Sequence, residues 1–263
     1  MRVVFAAARS APGVTTAMLA CASVWPDRTL LVEASEDGGA LAARFGLGLE
    51  PGLTTLAAAV RHRADGQPLS GHTQPLPGTD GQITALVAPA AMEPAQALLH
   101  TFARRLAELL AEVDEQTTVL VDAGRLPSTP LAAPLIAGAD RLVLVARPRV
   151  EELQTLSQRL PMLAELGCDP ELVLVGQRPY GPEEVAAALG CPVTGVLAHD
   201  PRAADGLAAS GPPRRLARSL LVRSARGVVD RLLDDRPATP LPPPPDTRDP
   251  GPGKPRLFTA SRP

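Results

Sequence analysis

The chain has 263 residues, a length that suits one large domain or two small ones with a substantial core. Hydrophobic residues make up 45% but aromatics only 2%, so the core has to be built from Ala, Leu and Val, as in parallel sheets covered by helices. The net charge of −2 argues against a protein that coats nucleic acid over its whole surface, and no apolar run approaches the roughly 18 residues of a membrane span.

Residues 3–8 form a short continuous apolar run, the pattern of a strand buried on both faces. A small-residue turn from Arg9 to Gly13 leads into 15–24, which reads as a helix. A second apolar run, 30–33, ends in an acid and a loop over 34–39, with helical patterns at 40–45 and 54–63. The stretch 64–81, rich in Gly, Pro, Gln and Thr, reads as a long exposed loop. Beyond it the pattern predicts a strand over 83–88 and a long amphipathic helix over 94–113. Three strand–helix repeats follow: 118–122 with 130–137, 141–146 with 150–166, and 171–175 with 182–189. A last short strand is expected at 193–197. Alternation at this spacing implies an α/β fold, a doubly wound and mostly parallel sheet with helices on both faces and right-handed crossovers.

Residues 213–233 read as a final helix with Leu216, Leu220, Ala225, Val228 and Leu232 on one face and six arginines mainly elsewhere. We prefer packing of that stripe on the sheet with the arginines facing water; the rival reading is a surface for DNA or an acidic partner, which the net charge does not favour. From residue 236 the chain turns proline-rich, with a proline run over 242–245, too poor in apolar residues to offset its ordering entropy. The expected organisation is therefore one domain over 1–235 and a disordered tail with polyproline character over 236–263.

Cys21, Cys168 and Cys191 are odd in number, widely spaced and set in apolar stretches, so buried reduced thiols and a cytoplasmic compartment are expected. The N-terminus lacks a signal peptide's layout. His62, His72, His100 and His199 show no metal-ligand spacing, and no catalytic constellation emerges from spacing alone.

In a doubly wound sheet, ligands bind at the carboxyl ends of the strands, near the first strand–helix turn. Here that turn runs Arg9-Ser10-Ala11-Pro12-Gly13-Val14-Thr15-Thr16. Small residues let backbone N–H groups approach a phosphate, the helix N-terminus adds its dipole, and the two threonines offer one hydroxyl for Mg²⁺ and one for phosphate. Asp122, ending a buried strand, could cap a helix, bond Thr15 or hold Mg²⁺ through water. Arg125, Arg147 and Arg149 follow strand ends and line the same rim.

This turn resembles the deviant Walker A loop K-G-G-x-G-K-[ST]-[ST] of the ParA/MinD family of P-loop ATPases, with Arg9 at its first lysine, Gly13 at the third glycine, Val14 at the second lysine and Thr15-Thr16 at the hydroxyl pair. The resemblance continues in order. Leu30 to Ser35 is similar to the second-strand apolar–D-x-D motif, with Glu33 and Ser35 at its two acids; Gly52-Leu53 and residues 87–99 resemble the stretches that follow. Residues 119–122 match the Walker B strand, 139–145 resemble A-D-x-V-L-L-V, and 192–197 followed by Asp200-Pro201 look like P-V-L-G-x-I-P-x-D.

The resemblance implies a P-loop NTPase fold and a nucleotide site built from Arg9, Ser10, Ala11, Pro12, Gly13, Val14, Thr15, Thr16, Glu33 and Asp122, with Thr15 and Asp122 on Mg²⁺ if nucleotide binds. The implied cofactor is ATP or ADP with Mg²⁺, with a nucleotide-free protein as the alternative. Gly176-Gln177-Arg178 stands where the family reads adenine with Asn or Asp. The departures matter. Val14 cannot contact the β- and γ-phosphates, and the chain's single lysine, Lys254, lies in the tail. Ser35 replaces the acid that activates water in the family and is too weak a base for that at neutral pH. No residue is assigned a catalytic role, since losing charged phosphate contacts costs orders of magnitude in rate.

The preferred function is a degenerate family member, similar to the TadZ/CpaE proteins of pilus and secretion assembly, that positions or assembles other components with weak or absent ATP hydrolysis. One alternative is a slow ATPase switch of the MinD/ParA kind, with Arg9 and Arg125 compensating; another is a nucleotide-free adaptor that uses its proline-rich tail. The resemblance further implies a homodimer facing through the loop, with Arg9 reaching across and Pro12, Val14 and Arg125 at the rim, although Val14 packing beneath the loop is an equal alternative. It also implies a protein partner and a cytoplasmic protein recruited to the membrane or cell pole.

Overall fold

The computed structural model describes residues 1–9, 13–62, 69–208 and 216–234. Eight strands form one sheet in the order β3-β4-β2-β5-β1-β6-β7-β8. They are β1 (Arg2–Ala7), β2 (Arg28–Glu33), β3 (Gln74–Pro75), β4 (Ile83–Leu86), β5 (Thr117–Arg125), β6 (Arg141–Ala146), β7 (Pro170–Val175) and β8 (Val193–Leu197). All neighbours pair in parallel except β3, which runs antiparallel to β4 at the edge. The seven parallel strands coincide with the seven apolar runs of the sequence, because a strand covered on both faces has no polar side to show.

The two faces have separate cores. Val3, Phe5 and Ala7 of β1 point into one, and Val4 and Ala6 into the other. The first face carries α1 (Val14–Ala22), α2 (Leu41–Phe45), α9 (Pro201–Ala208) and α10 (Leu220–Leu233). The second carries α3 (Leu53–His62), α4 (Met92–Ala111), α5 (Ala133–Ala137), α6 (Val150–Ser157), α7 (Leu160–Glu165) and α8 (Pro182–Leu189). The doubly wound expectation therefore holds. The chain's single Trp, Trp25, is buried with its Nε1 donating to the Thr118 hydroxyl at 2.9 Å, so its one polar atom is satisfied.

Several expectations need correction. The loop over 64–81 contains a 3₁₀ turn, Leu69–His72, and strand β3 among its described residues. The helix expected over 150–166 is two helices, parting where Pro161 begins a new first turn, its natural place. Helix α9 was not anticipated. In the last helix Leu220 is 64% exposed, and the buried face is Leu221, Val222, Ala225, Val228, Val229 and Leu232; Leu216 is buried in a separate 3₁₀ turn, Leu216–Arg218. Residues 213–215 and the tail 236–263 lie outside the described residues. Cys21 and Cys191 are buried, and burial pushes both thiols up to about 12, whereas Cys168 is only partly buried.

Candidate functional site

The carboxyl ends of β2, β5 and β1 are neighbours in the middle of the sheet, and α1 is the first helix after β1. Ser10, Ala11 and Pro12 of the turn from β1 into α1 lie outside the described residues. Gly13 is the residue before the helix and adopts φ 91°, ψ 32°, a left-handed backbone that side chains disfavour. Its carbonyl accepts from Ala17 N at 2.7 Å, which closes the first turn.

Thr15 is partly exposed, and its hydroxyl donates to Asp122 Oδ2 at 2.5 Å. Asp122 is only 3% exposed, and its Oδ1 accepts from Gly124 N at 2.9 Å. Burial raises its proton affinity; the Thr15 hydroxyl, the Gly124 N–H and the positive charge of Arg44 oppose that rise. Of the roles open to Asp122 in the sequence, the bond to Thr15 is the one realised. A hydroxyl and a buried carboxylate held together suit a hydrated divalent cation, whose other positions would be filled by water and phosphate oxygens. Among the described residues no cluster of three or more His, Cys, Asp or Glu side chains could hold a metal by itself.

Val14 occupies a different environment. It is 1% exposed, in the core beneath the turn with Ala17, Met18, Leu41 and Phe45. Of the two placements left open by the sequence, the structure has the one beneath the loop. An apolar side chain there contributes packing and leaves the turn without the ammonium of a phosphate loop. Thr16 lines a cavity of about 390 Å³ together with Gly13, Val175, Leu197, His199 and Asp205. Asp200, at the same cavity, accepts from Ala203 N at 3.1 Å and so starts α9.

Glu33 is the ladder partner of Asp122, yet its carboxylate does not face the turn. Oε1 accepts from Ala40 N at 2.5 Å and Leu41 N at 2.8 Å, and Oε2 accepts from Ala88 N at 3.0 Å. Its proton affinity is raised by burial, against which the three N–H groups act. The acid fastens α2 and the end of β4 to β2. Ser35 lies against Gly124, where a Cβ would come within 2.3 Å of its Oγ, and that oxygen accepts from Asp37 N at 3.2 Å. The close approach explains the glycine.

Arg9 is exposed at the rim. Arg125 pairs with Asp37 at 3.1 Å, and Arg147 with Glu152 at 2.7 Å, while Arg149 is exposed beside the start of α6. Arg44, on α2, was not singled out by the sequence. It stands half-buried close enough to Asp122 to act on its charge, and it is in none of the ion pairs among the described residues.

No protein-family model matches the chain, and no curated protein matches it. Solved structures do. The cell division ATPase MinD of Pyrococcus furiosus superposes with a TM-score of 0.71 at 15% identity, over 88% of this chain and 98% of that one. The fold is that of the MinD and ParA proteins. A ParA family ATPase from Chlorobium tepidum matches with a TM-score of 0.68 at 18% identity, over 87% and 97% of the two chains. The septum site-determining protein MinD of Pyrococcus horikoshii, in complex with Mg-ADP, matches with a TM-score of 0.69 at 14% identity, over 89% and 97%. No helix among the described residues is long and apolar enough to cross a membrane.

Proposed function

We propose that the chain is a nucleotide-responsive positioning or assembly factor whose ATP hydrolysis is weak or absent. The observation that carries this reading is the split fate of the turn: the Thr15–Asp122 pair is in place at 2.5 Å while Val14, at the lysine position of the family pattern, is buried at 1% exposure. The first supports holding Mg²⁺ with ATP or ADP, as the Pyrococcus horikoshii MinD holds Mg-ADP. The second withholds the charge that would stabilise a transferring phosphoryl group. Ser35, engaged in a turn with Asp37, offers no base for the attacking water.

The chain's own groups would bind and orient rather than react. Thr15 and Asp122 would hold the hydrated cation, Gly13 and the start of α1 would present N–H groups to the phosphates, and the cavity beside Thr16 would receive the base. Exposed Arg9 and Arg125 at the same rim support a dimer facing through this surface, without Val14. Resemblance to the TadZ/CpaE proteins makes pilus or secretion assembly, at a membrane or cell pole reached through a partner, the finer reading.

Calorimetry with ATP, ADP and GTP in the presence of Mg²⁺, beside a turnover assay, tests the proposal. Mg²⁺-dependent binding with turnover near background is expected. Robust hydrolysis by the unmodified protein, or no binding of any of the three, would overturn it. Sedimentation of the unmodified chain against Arg9→Glu tests the dimer.

A further inference from the structure

We propose that Arg44 supplies the phosphate-binding cation that is missing at Val14, so that a nucleoside polyphosphate is held by a guanidinium from α2. The inference rests on the nucleotide-binding reading above. It begins from where α2 is fixed. Glu33 and Asp122 are direct ladder partners at the carboxyl ends of β2 and β5, and Glu33 binds the N–H groups of Ala40 and Leu41. The first turn of α2 is thereby tied one strand away from the Thr15–Asp122 pair. Leu41, Ala42 and Phe45 are buried in the core that also holds Val14 and Met18 of α1, so α2 lies on the same face as α1. Arg44 closes the turn from Ala40, donating its N–H to the Ala40 carbonyl at 3.0 Å, and its side chain is left half-buried.

Two other cations near the site are committed to ion pairs. Arg125 is held by Asp37 and Arg147 by Glu152, whereas Arg44 is in no ion pair among the described residues and its charge reaches Asp122. Direction agrees as well. The cavity sized for a base lies on the β7–β8 side of Thr16. A nucleotide seated there would run its phosphate chain past Gly13 towards β5 and β2, where Arg44 waits. A guanidinium binds phosphate oxygens through two parallel N–H groups, and its longer reach suits a helix set back from the turn.

The test is the affinity of the full chain for Mg–ATP and Mg–ADP, measured by calorimetry for the unmodified protein, Arg44→Gln and Arg44→Lys. Arg44→Gln is expected to weaken Mg–ATP roughly 10- to 100-fold, with a smaller loss for Mg–ADP. Arg44→Lys, which keeps the charge, retains most of the affinity. The salt dependence of Mg–ATP binding should flatten in Arg44→Gln, a change that a purely structural role for Arg44 would not produce. Equal Mg–ATP affinity in the unmodified protein and Arg44→Gln, or a loss with unchanged salt dependence, would overturn this inference while leaving the nucleotide reading intact. Absence of binding by the unmodified chain would end both.

Discussion

Two buried carboxylates at opposite edges of the same sheet show how structure and ligand binding divide this molecule. At the amino edge, Glu171 is 6% exposed and paired with a cation: Oε1 accepts from Arg141 Nη1 at 3.2 Å and Oε2 accepts the Thr194 hydroxyl. The network continues, with Arg141 Nη2 donating to the Asp234 carbonyl at 2.8 Å and Arg231 Nη1 to the Thr194 carbonyl at 2.8 Å. At the carboxyl edge, Asp122 is 3% exposed and accepts from one hydroxyl and one N–H, near the guanidinium of Arg44, which is in no ion pair among the described residues. Each carboxylate accepts two hydrogen bonds; what differs is the cation beside it, which at Glu171 is held in an ion pair and at Asp122 is in none among the described residues.

If that contrast is right, the largest loss of stability from a single substitution comes from Glu171→Ala. The substitution strands a mostly buried Arg141 and the Thr194 hydroxyl, at a cost of about 3 kcal/mol, read as a lower denaturant midpoint at unchanged slope. Mg–nucleotide affinity should not change. A cost below about 1 kcal/mol, the range of an exposed pair, would break the comparison.

Glu33→Ala should rank next, at about 2 kcal/mol, because two N–H groups at the start of α2 and the buried Ala88 N–H lose their acceptor. Unlike the Glu171 change, it should also weaken Mg–ATP, since α2 carries Arg44. Unaltered nucleotide binding in a destabilised protein would detach α2 from the site.

Asp122→Asn sharpens the contrast from the other side. The amide can still accept from Gly124 N and donate to Thr15, and it removes a charge that burial penalises. The thermal midpoint should stay within the shift caused by about 1 kcal/mol, in either direction, while Mg²⁺-dependent nucleotide binding is lost. Groups kept for a ligand are dispensable for folding. A collapse in stability would make Asp122 a structural acid like Glu171.

Much of this was readable from the residues, and the exceptions have physical causes. The parallel strands were legible because burial on both faces leaves continuous apolar runs. Strand β3 was not, because Gln74–Pro75 has two residues and no alternation to detect. Helix α9 has Ala203 and Leu207 as its buried residues, too faint a stripe to read. Leu220 was placed inside because the helix was phased from residue 213, whereas α10 starts at Leu220 after a Ser219 cap whose Oγ accepts from Val222 N. Thr15 and Asp122 were visible through their motifs. Arg44 carries no motif; its place depends on Glu33 seizing the start of α2, a contact that pattern reading cannot supply.

The smallest effect is expected at the boundary between the folded domain and the proline-rich segment. Arg141 binds the carbonyl of Asp234, Arg231 binds that of Thr194, and Leu232 is 1% exposed, so the last anchors of α10 fall between residues 231 and 234. A chain ending at residue 235 keeps every one of them. Its thermal midpoint should match the full chain within the shift caused by about 0.5 kcal/mol, because residues 236–263 are too poor in apolar side chains to bury much area. A chain ending at residue 230 loses the buried Leu232 and both arginine-to-carbonyl ties near Glu171. It should fall by about 3 kcal/mol or more, as a core leucine deletion does. A large drop for the longer of the two chains would mean that the proline-rich segment docks on the domain, and the amino-edge network would then be only part of what holds α10.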